Sequence, residues 1–262
     1  MIRAIFFDID GTLVPFGSHG IPEEVKDAIA EVRAKGVKVF IATGRHPAWI
    51  DNLGDMEFDG YVTVNGGLCF LSDKKTLIYR RTISTADIER VIPFSHETDI
   101  PFVAIPIDGR IFINRIDDGV RHVMKLLRVA HIDVADLETI GGREVVQMMA
   151  FGTEQERLDC GLFGRVLTDC EPTSWNPYFC DIIPKGSDKS VGIDRMIEHF
   201  GIDLSHTMAF GDGGNDIGML RHVAVGVAMG NAEADVKEAA DYVTTADTDH
   251  GVVNAFRHFG LI

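Results

Sequence analysis

Ile5-Phe6-Phe7-Asp8-Ile9-Asp10-Gly11-Thr12-Leu13 decides how the rest of the chain is read. An apolar run from Ile2 to Phe7, broken only by Arg3, stops abruptly at two aspartates. Runs of this kind bounded by a glycine turn form buried strands of parallel sheets, where chemistry gathers at the carboxyl ends. Asp8 and Asp10 fall at such an end. Two residues apart on an extended chain, their side chains leave on one face, and Gly11 then lets the backbone turn. Carboxylates so close repel one another unless a proton or a cation sits between them. Taken alone, an Asp-x-Asp-Gly sequence is equally a helix cap or a turn.

Working outward, the same rhythm recurs. Pro22 suits a helix first turn, Val25, Ala28, Ile29 and Val32 follow at helical spacing, and Gly36 ends that helix. Val37 to Ala42 reads as a second buried strand ending on Thr43-Gly44-Arg45, followed by a short helix over 47–53. Tyr61 to Val64 reads as a third strand, closed by Asn65-Gly66-Gly67, and 68–83 as a hairpin. Asn65 there is a candidate site residue or simply the residue of its own turn. Near the other end, Lys189 opens a helix, and Thr207 to Phe210 is a strand terminated by Gly211-Asp212-Gly213-Gly214-Asn215-Asp216. Val225 to Met229 and Tyr242 to Thr244 supply further strands, each paired with a helix.

Between these stretches the texture changes. A helix from a Thr85 cap, an Asp108-Gly109 hairpin, a helix over 119–129, a strand over 145–151, a helix over 154–166 and a strand over 178–183 mix hairpins with helices. The expected organisation is an α/β protein: a Rossmann-like parallel-sheet core in two segments, 1–83 and 185–262, with an inserted α+β domain over 84–184.

Composition narrows the function classes. The 262 residues carry 40 Asp and Glu against 25 Lys and Arg, a net charge of −15, which argues against binding a nucleic acid backbone. A small phosphorylated partner stays open, because a metal and a few cations reverse the sign locally. Cys69, Cys160, Cys170 and Cys180 form no C-x-x-C pair, and no apolar run approaches the ~20 residues of a membrane helix. The expectation is a cytoplasmic protein with reduced thiols, a monomer or a weak homo-oligomer. Calcium-loop, P-loop, dinucleotide and H-E-x-x-H zinc patterns all fail on their required positions.

A parallel sheet brings Asp8, Asp10, Thr43, Asp212 and Asp216 to one edge. Several oxygen donors there suit a hard cation such as Mg2+ beside a phosphate. Thr43 offers a hydroxyl, the Gly44 turn backbone N–H groups, and Lys189 a point charge at a helix start. Lys185 is a rival for that last part. Arg45 reads as a local ion-pair partner.

At this point the chain resembles a known family. Asp8-Ile9-Asp10-Gly11-Thr12, Thr43-Gly44-Arg45, Lys189 and Gly211-Asp212-x-x-Asn215-Asp216 look like the four motifs of the haloacid dehalogenase superfamily, in order. The insert resembles, in position and size, the large cap of the Cof-type phosphatases, and Pro184-Lys185-Gly186 is similar to that subgroup too. The resemblance implies that Asp8 is the nucleophile of an aspartyl-phosphate mechanism and Asp10 the acid and base. It implies Mg2+ held by the carboxylates of Asp8 and Asp212 and the main-chain carbonyl of Asp10, with Asp216 behind. Thr43, Gly44, Lys189 and Asn215 would bind or frame the phosphoryl group. The implied activity is hydrolysis of small phosphorylated metabolites, sugar phosphates first, with a sugar phosphotransferase or phosphomutase, a phosphatase of another metabolite such as pyridoxal phosphate, or a silent binder as alternatives. In the insert, Arg143, Trp175, Asn176 and Tyr178 are candidate substrate contacts.

Overall fold

A computed structural model describes residues 1–18, 20–126, 134–173 and 177–262. The chain divides into two compact units, one built from 1–80 and 188–262 and the other from 81–187.

The first unit begins with β1 (Ala4–Phe7), α1 (Glu23–Ala34), β2 (Lys38–Ala42), β3 (Gly60–Thr63), β4 (Leu68–Leu71) and β5 (Leu77–Arg80). The second unit supplies α2 (Thr85–Glu97), β6 (Phe102–Pro106), β7 (Ile111–Ile113), α3 (Asp118–Leu126), β8 (Val134–Asp136), β9 (Val145–Phe151), α4 (Glu154–Asp159), β10 (Cys170–Thr173) and β11 (Phe179–Pro184). The chain then returns to the first unit with α5 (Lys189–Phe200), β12 (Thr207–Gly211), α6 (Ile217–His222), β13 (Val225–Ala228), α7 (Ala234–Ala239), β14 (Tyr242–Val243) and α8 (Gly251–His258).

In the first unit the strands form one eight-stranded sheet, ordered β14-β13-β12-β1-β2-β3-β4-β5. Pairing is parallel from β14 to β3 and antiparallel from β3 to β5. The central strands β1, β2, β3 and β12 alternate their apolar side chains between two covered faces, which is why they read as continuous apolar runs. Ile5 and Phe7 join the cluster under α1 and α8, with Val25, Ile29, Val32 and Phe256. Ala4 and Phe6 join the opposite cluster with Ile193 and Met196 of α5 and Met219 of α6. Phe6 stacks on Phe40, and Phe7 on Phe210, so β1 is tied by rings to both its neighbours.

A six-stranded sheet, ordered β10-β11-β9-β6-β7-β8, forms the second unit; it is antiparallel except where β7 meets β8. A separate apolar cluster, including Phe94, Phe102, Phe112, Val145, Met148 and Ile182, fills it. No helix among the described residues is long and apolar enough to cross a membrane, and the four cysteines are free thiols.

Several local expectations are corrected. The short helix expected over 47–53 is a single 3-10 turn, Pro47–Trp49. The cap of α2 is Ser84, whose hydroxyl accepts from the Asp87 N–H, and not Thr85. The helix expected over 154–166 stops at Asp159, because Gly161 turns left-handed (φ 73°) and Phe163 and Gly164 leave the helical region. The edge strands β8 and β10 were not anticipated. The part of the 119–129 helix beyond Leu126 lies outside the described residues.

One buried carboxylate ties α2 to the segment leading into β10. Asp87, fully buried, accepts from the N–H groups of Thr168 and Asp169 and pairs with Arg90. Burial alone would raise its pKa, but the hydrogen bonds from Thr168, Cys170, Asp169 and Arg90 prevail and lower it. Asp87→Ala strips two backbone N–H groups and an arginine of their acceptor, and is expected to cost about 3 kcal/mol in a chemical denaturation measurement.

Candidate active site

The site is assembled at the carboxyl ends of β1, β2 and β12. Asp8 directly follows β1, Thr43 follows β2, and Asp212 follows β12. Lys189 is the first residue of α5, whose cap Asp188 accepts from the N–H groups of Ser190 and Val191. The ammonium therefore sits at the positive end of a helix with its side chain fully buried.

Lys189 Nζ lies 2.6 Å from Asp8 Oδ1 and 2.5 Å from Asp216 Oδ1. Asp216 Oδ2 accepts from the backbone N–H groups of Asp212 and Gly213, each at 2.9 Å. Both oxygens of Asp216 are thus spent inside the protein, whereas Asp8 commits Oδ1 to Lys189. Asp212 accepts from the Thr12 hydroxyl at Oδ1 (3.1 Å) and from Asn231 Nδ2 at Oδ2 (3.3 Å). Asn231 also donates to the Gly11 carbonyl (2.9 Å) and accepts from the Asp247 N–H (2.9 Å).

Asp10 turns elsewhere. Its carboxylate takes a two-pronged pair from Arg45, Nε to Oδ2 and Nη2 to Oδ1, both at 2.7 Å. Arg45 Nη1 also donates to the Trp49 carbonyl. Burial works against the charge of Arg45, but the hydrogen bonds and charge of Asp10 outweigh it and raise the guanidinium pKa. The part expected of Asp10 at a metal is that of its main-chain carbonyl; its carboxylate lies outside the cluster of acids.

That cluster comprises Asp8, Asp212 and Asp216, each offering an oxygen within 4.8 Å of the others. Burial, then the charges of Asp216 and Asp10, push Asp8 up to about 7 against the opposing pull of Lys189. Burial, then Asp8 and Asp216, push Asp212 up to about 8. Lys189 goes the other way to a lone buried lysine: desolvation would lower it, but two adjoining carboxylates hold it above its ordinary range. One ammonium among three carboxylates leaves net negative charge on oxygen donors alone. Such a set fits a hard divalent cation: Asp8 and Asp212 could hold it, and Asp216, whose oxygens already take Lys189 and two backbone N–H groups, could stand behind them.

The proposed phosphate-binding groups occupy adjoining turns. The buried Thr43 hydroxyl accepts from the Arg45 N–H (3.1 Å). Asn215 Nδ2 donates to Asn65 Oδ1 (2.9 Å), and both amides border Gly44. Lys185, the rival to Lys189, is exposed and donates to the Thr168 carbonyl within the second unit. In that unit Arg143 pairs with Asp108 and lies over the Phe112 ring, Tyr178 is half exposed against His122, and Trp175 and Asn176 lie outside the described residues. Sequence reasoning assigned nothing to Thr12 or Asn231. Gly230-Asn231 at the end of β13 carried the same signal, a parallel strand ending on a polar side chain.

The model of the haloacid dehalogenase-like hydrolases matches residues 5–256. The chain belongs to that family. It is 31% identical to "Putative phosphatase YkrA" of Bacillus subtilis, over 99% of this chain and 98% of that one. A solved subclass IIB sugar phosphatase of the superfamily is 42% identical, with a TM-score of 0.91 over 99% of this chain and 100% of that one. A second solved structure, from work on a trigonal-bipyramidal intermediate in a phosphoryl-transfer superfamily, is 41% identical, with a TM-score of 0.92 over the full length of both.

The raised carboxylates make stability depend on pH. Between the ordinary aspartate value of 3.8 and about 7 to 8, the folded protein holds protons that the unfolded chain has released. With chelator present, the contribution of these groups to stability therefore falls as pH climbs through that window and levels off above it. Added Mg2+ should replace those protons and raise Tm more at pH 8 than at pH 5. A scan of Tm against pH, with Mg2+ and with chelator, checks both the sign and the crossover.

Proposed function

We propose that this protein is a Mg2+-dependent phosphatase of small phosphorylated metabolites, sugar phosphates first, working through an aspartyl-phosphate on Asp8. The observation that carries the reading is Lys189, buried and shared between Asp8 and Asp216. It fixes one oxygen of Asp8 and leaves the other to act as nucleophile beside Asp212.

In this reading the second oxygen of Asp8 attacks phosphorus and the bond to the leaving alcohol oxygen breaks. Asp10 supplies the proton that the alcohol takes away, then accepts a proton from the water that attacks the aspartyl-phosphate. Phosphate leaves and Asp8 is restored. Arg45 donates to both oxygens of Asp10 and so fixes the orientation of the carboxylate that each proton transfer would use. Lys189, Thr43, the Gly44 turn and Asn215 would bind the phosphoryl oxygens as charge shifts across them. Mg2+, held by Asp8, Asp212 and the Asp10 carbonyl with Asp216 behind, would neutralise the carboxylates facing an anionic substrate.

The 42% identity to a sugar phosphatase supports the substrate class. The inserted unit, proposed as a cap over 84–184, would set specificity among metabolites. A cytoplasmic monomer or weak homo-oligomer suits an acidic protein with four free thiols.

Phosphate release from hexose and pentose phosphates, nucleotides, pyridoxal phosphate and a chromogenic ester, with Mg2+ and with chelator, tests the reading. Release should require Mg2+ and favour sugar phosphates, and Asp8→Asn should lower kcat by ~10³-fold or more. Full activity in Asp8→Asn would overturn the covalent route. An isomerised sugar phosphate without free phosphate would point to a phosphomutase.

A further inference from the structure

The turn between β3 and β4 is more than a connection. Val64 and Asn65 both adopt left-handed backbone, at φ 53° and 49°, and Gly66 follows at 87°. Asparagine tolerates that region; a β-branched valine does so at a cost, and strain of this kind is kept where the surroundings over-determine it. The surroundings here are three of the four motifs. Val64 N–H donates to the Arg45 carbonyl (3.1 Å), and Asn65 N–H to the Thr43 carbonyl (3.2 Å). Gly66 lies so close to α5 that a Cβ on it would come within 1.9 Å of the Asp188 carbonyl oxygen. Asn65 Oδ1 receives Asn215 Nδ2 across 150 residues of sequence.

A turn-forming asparagine needs no buried side chain, yet Asn65 is only 1% exposed. A Cβ on Gly44 would lie 3.1 Å from Asn65 Oδ1 and 3.4 Å from Asn215 Nδ2, so the two amides close one side of the Gly44 turn. An amide nitrogen carries two donors. With one N–H of Asn215 held by Asn65, the amide plane is set and the other N–H remains for a ligand. We propose that Asn65 is a positioning residue of the phosphate site, acting through Asn215 and the wall of the Gly44 turn. The inference rests on the phosphatase reading and deepens it.

Asn65→Gly removes the amide while keeping the left-handed backbone; losing its buried hydrogen bond should lower Tm by a few degrees and leave the protein folded at assay temperature. The probes are inorganic phosphate as a competitive inhibitor and a chromogenic phosphate ester as substrate. Asn65→Gly should raise the phosphate inhibition constant by ~10-fold, the loss expected for one buried hydrogen bond. In an Asn215→Ala background the same change should add less than ~2-fold, because its partner is already gone. Asn65→Asp keeps the acceptor for Asn215 but sets a negative charge beside the phosphate; it should weaken inhibition too, more at low salt. A wild-type inhibition constant in Asn65→Gly or Asn65→Asp, or equal losses in both backgrounds, would overturn the inference while leaving the phosphatase reading standing. Wild-type protein that neither turns over the ester nor responds to phosphate would overturn both.

Discussion

A fully buried ammonium is the constraint on which the site depends. Taking Lys189 out of water costs several kcal/mol, of order 3–5 if either partner were removed. Asp8 and Asp216, at 2.6 and 2.5 Å, offset that cost only because α5 starts where it does and β1 and β12 end where they do. The parallel pairing of β1 with β12, residue for residue from Ala4–Thr207 to Phe7–Phe210, brings the two acidic turns level. The apolar register of the sheet and the ionic register of the site are thus one geometric fact.

Charge balance divides the acids into two sorts. Asp216 is satisfied wholly within the protein by Lys189 and two backbone N–H groups, so it acts as scaffold. Asp8 is held at one oxygen by Lys189, and Asp212 at both oxygens only by neutral donors, so each keeps a desolvated carboxylate that burial raises. Thr12 and Asn231 tether Asp212 to the turn after β1 from opposite oxygens, coupling the first motif to the fourth. Arg45 anchors Asp10 apart from this cluster, so the two aspartates that leave β1 together have different electrostatic surroundings.

The central strands of the first unit, β1, β2, β3 and β12, were legible because each is a largely apolar run buried on both faces, and the candidate site sits where such runs stop. Elements that lack this signature were missed. β10 is an edge strand carrying Pro172, and β8 is a three-residue edge strand; neither needs a continuous apolar pattern. The stretch 154–166 has helical periodicity, but Gly161 and Gly164 take left-handed conformations that end the helix, a choice made by the packing of Leu162 and Val166 in the second core.

The sequence by itself determined the class of fold and the inventory of side chains: parallel strands that end on Asp8, Thr43 and Asp212, a lysine opening a helix, and an excess of acids over cations. These follow from local pattern and residue type, which need no knowledge of distant neighbours. Only the tertiary structure decided the partnerships. Lys189 rather than Lys185 meets the acids, Asp10 faces Arg45, and Asn65 grips Asn215, because each depends on which loops the sheet order sets side by side. Spacing along a chain carries no record of contacts made across 35, 150 or 181 residues; the register of the sheet does.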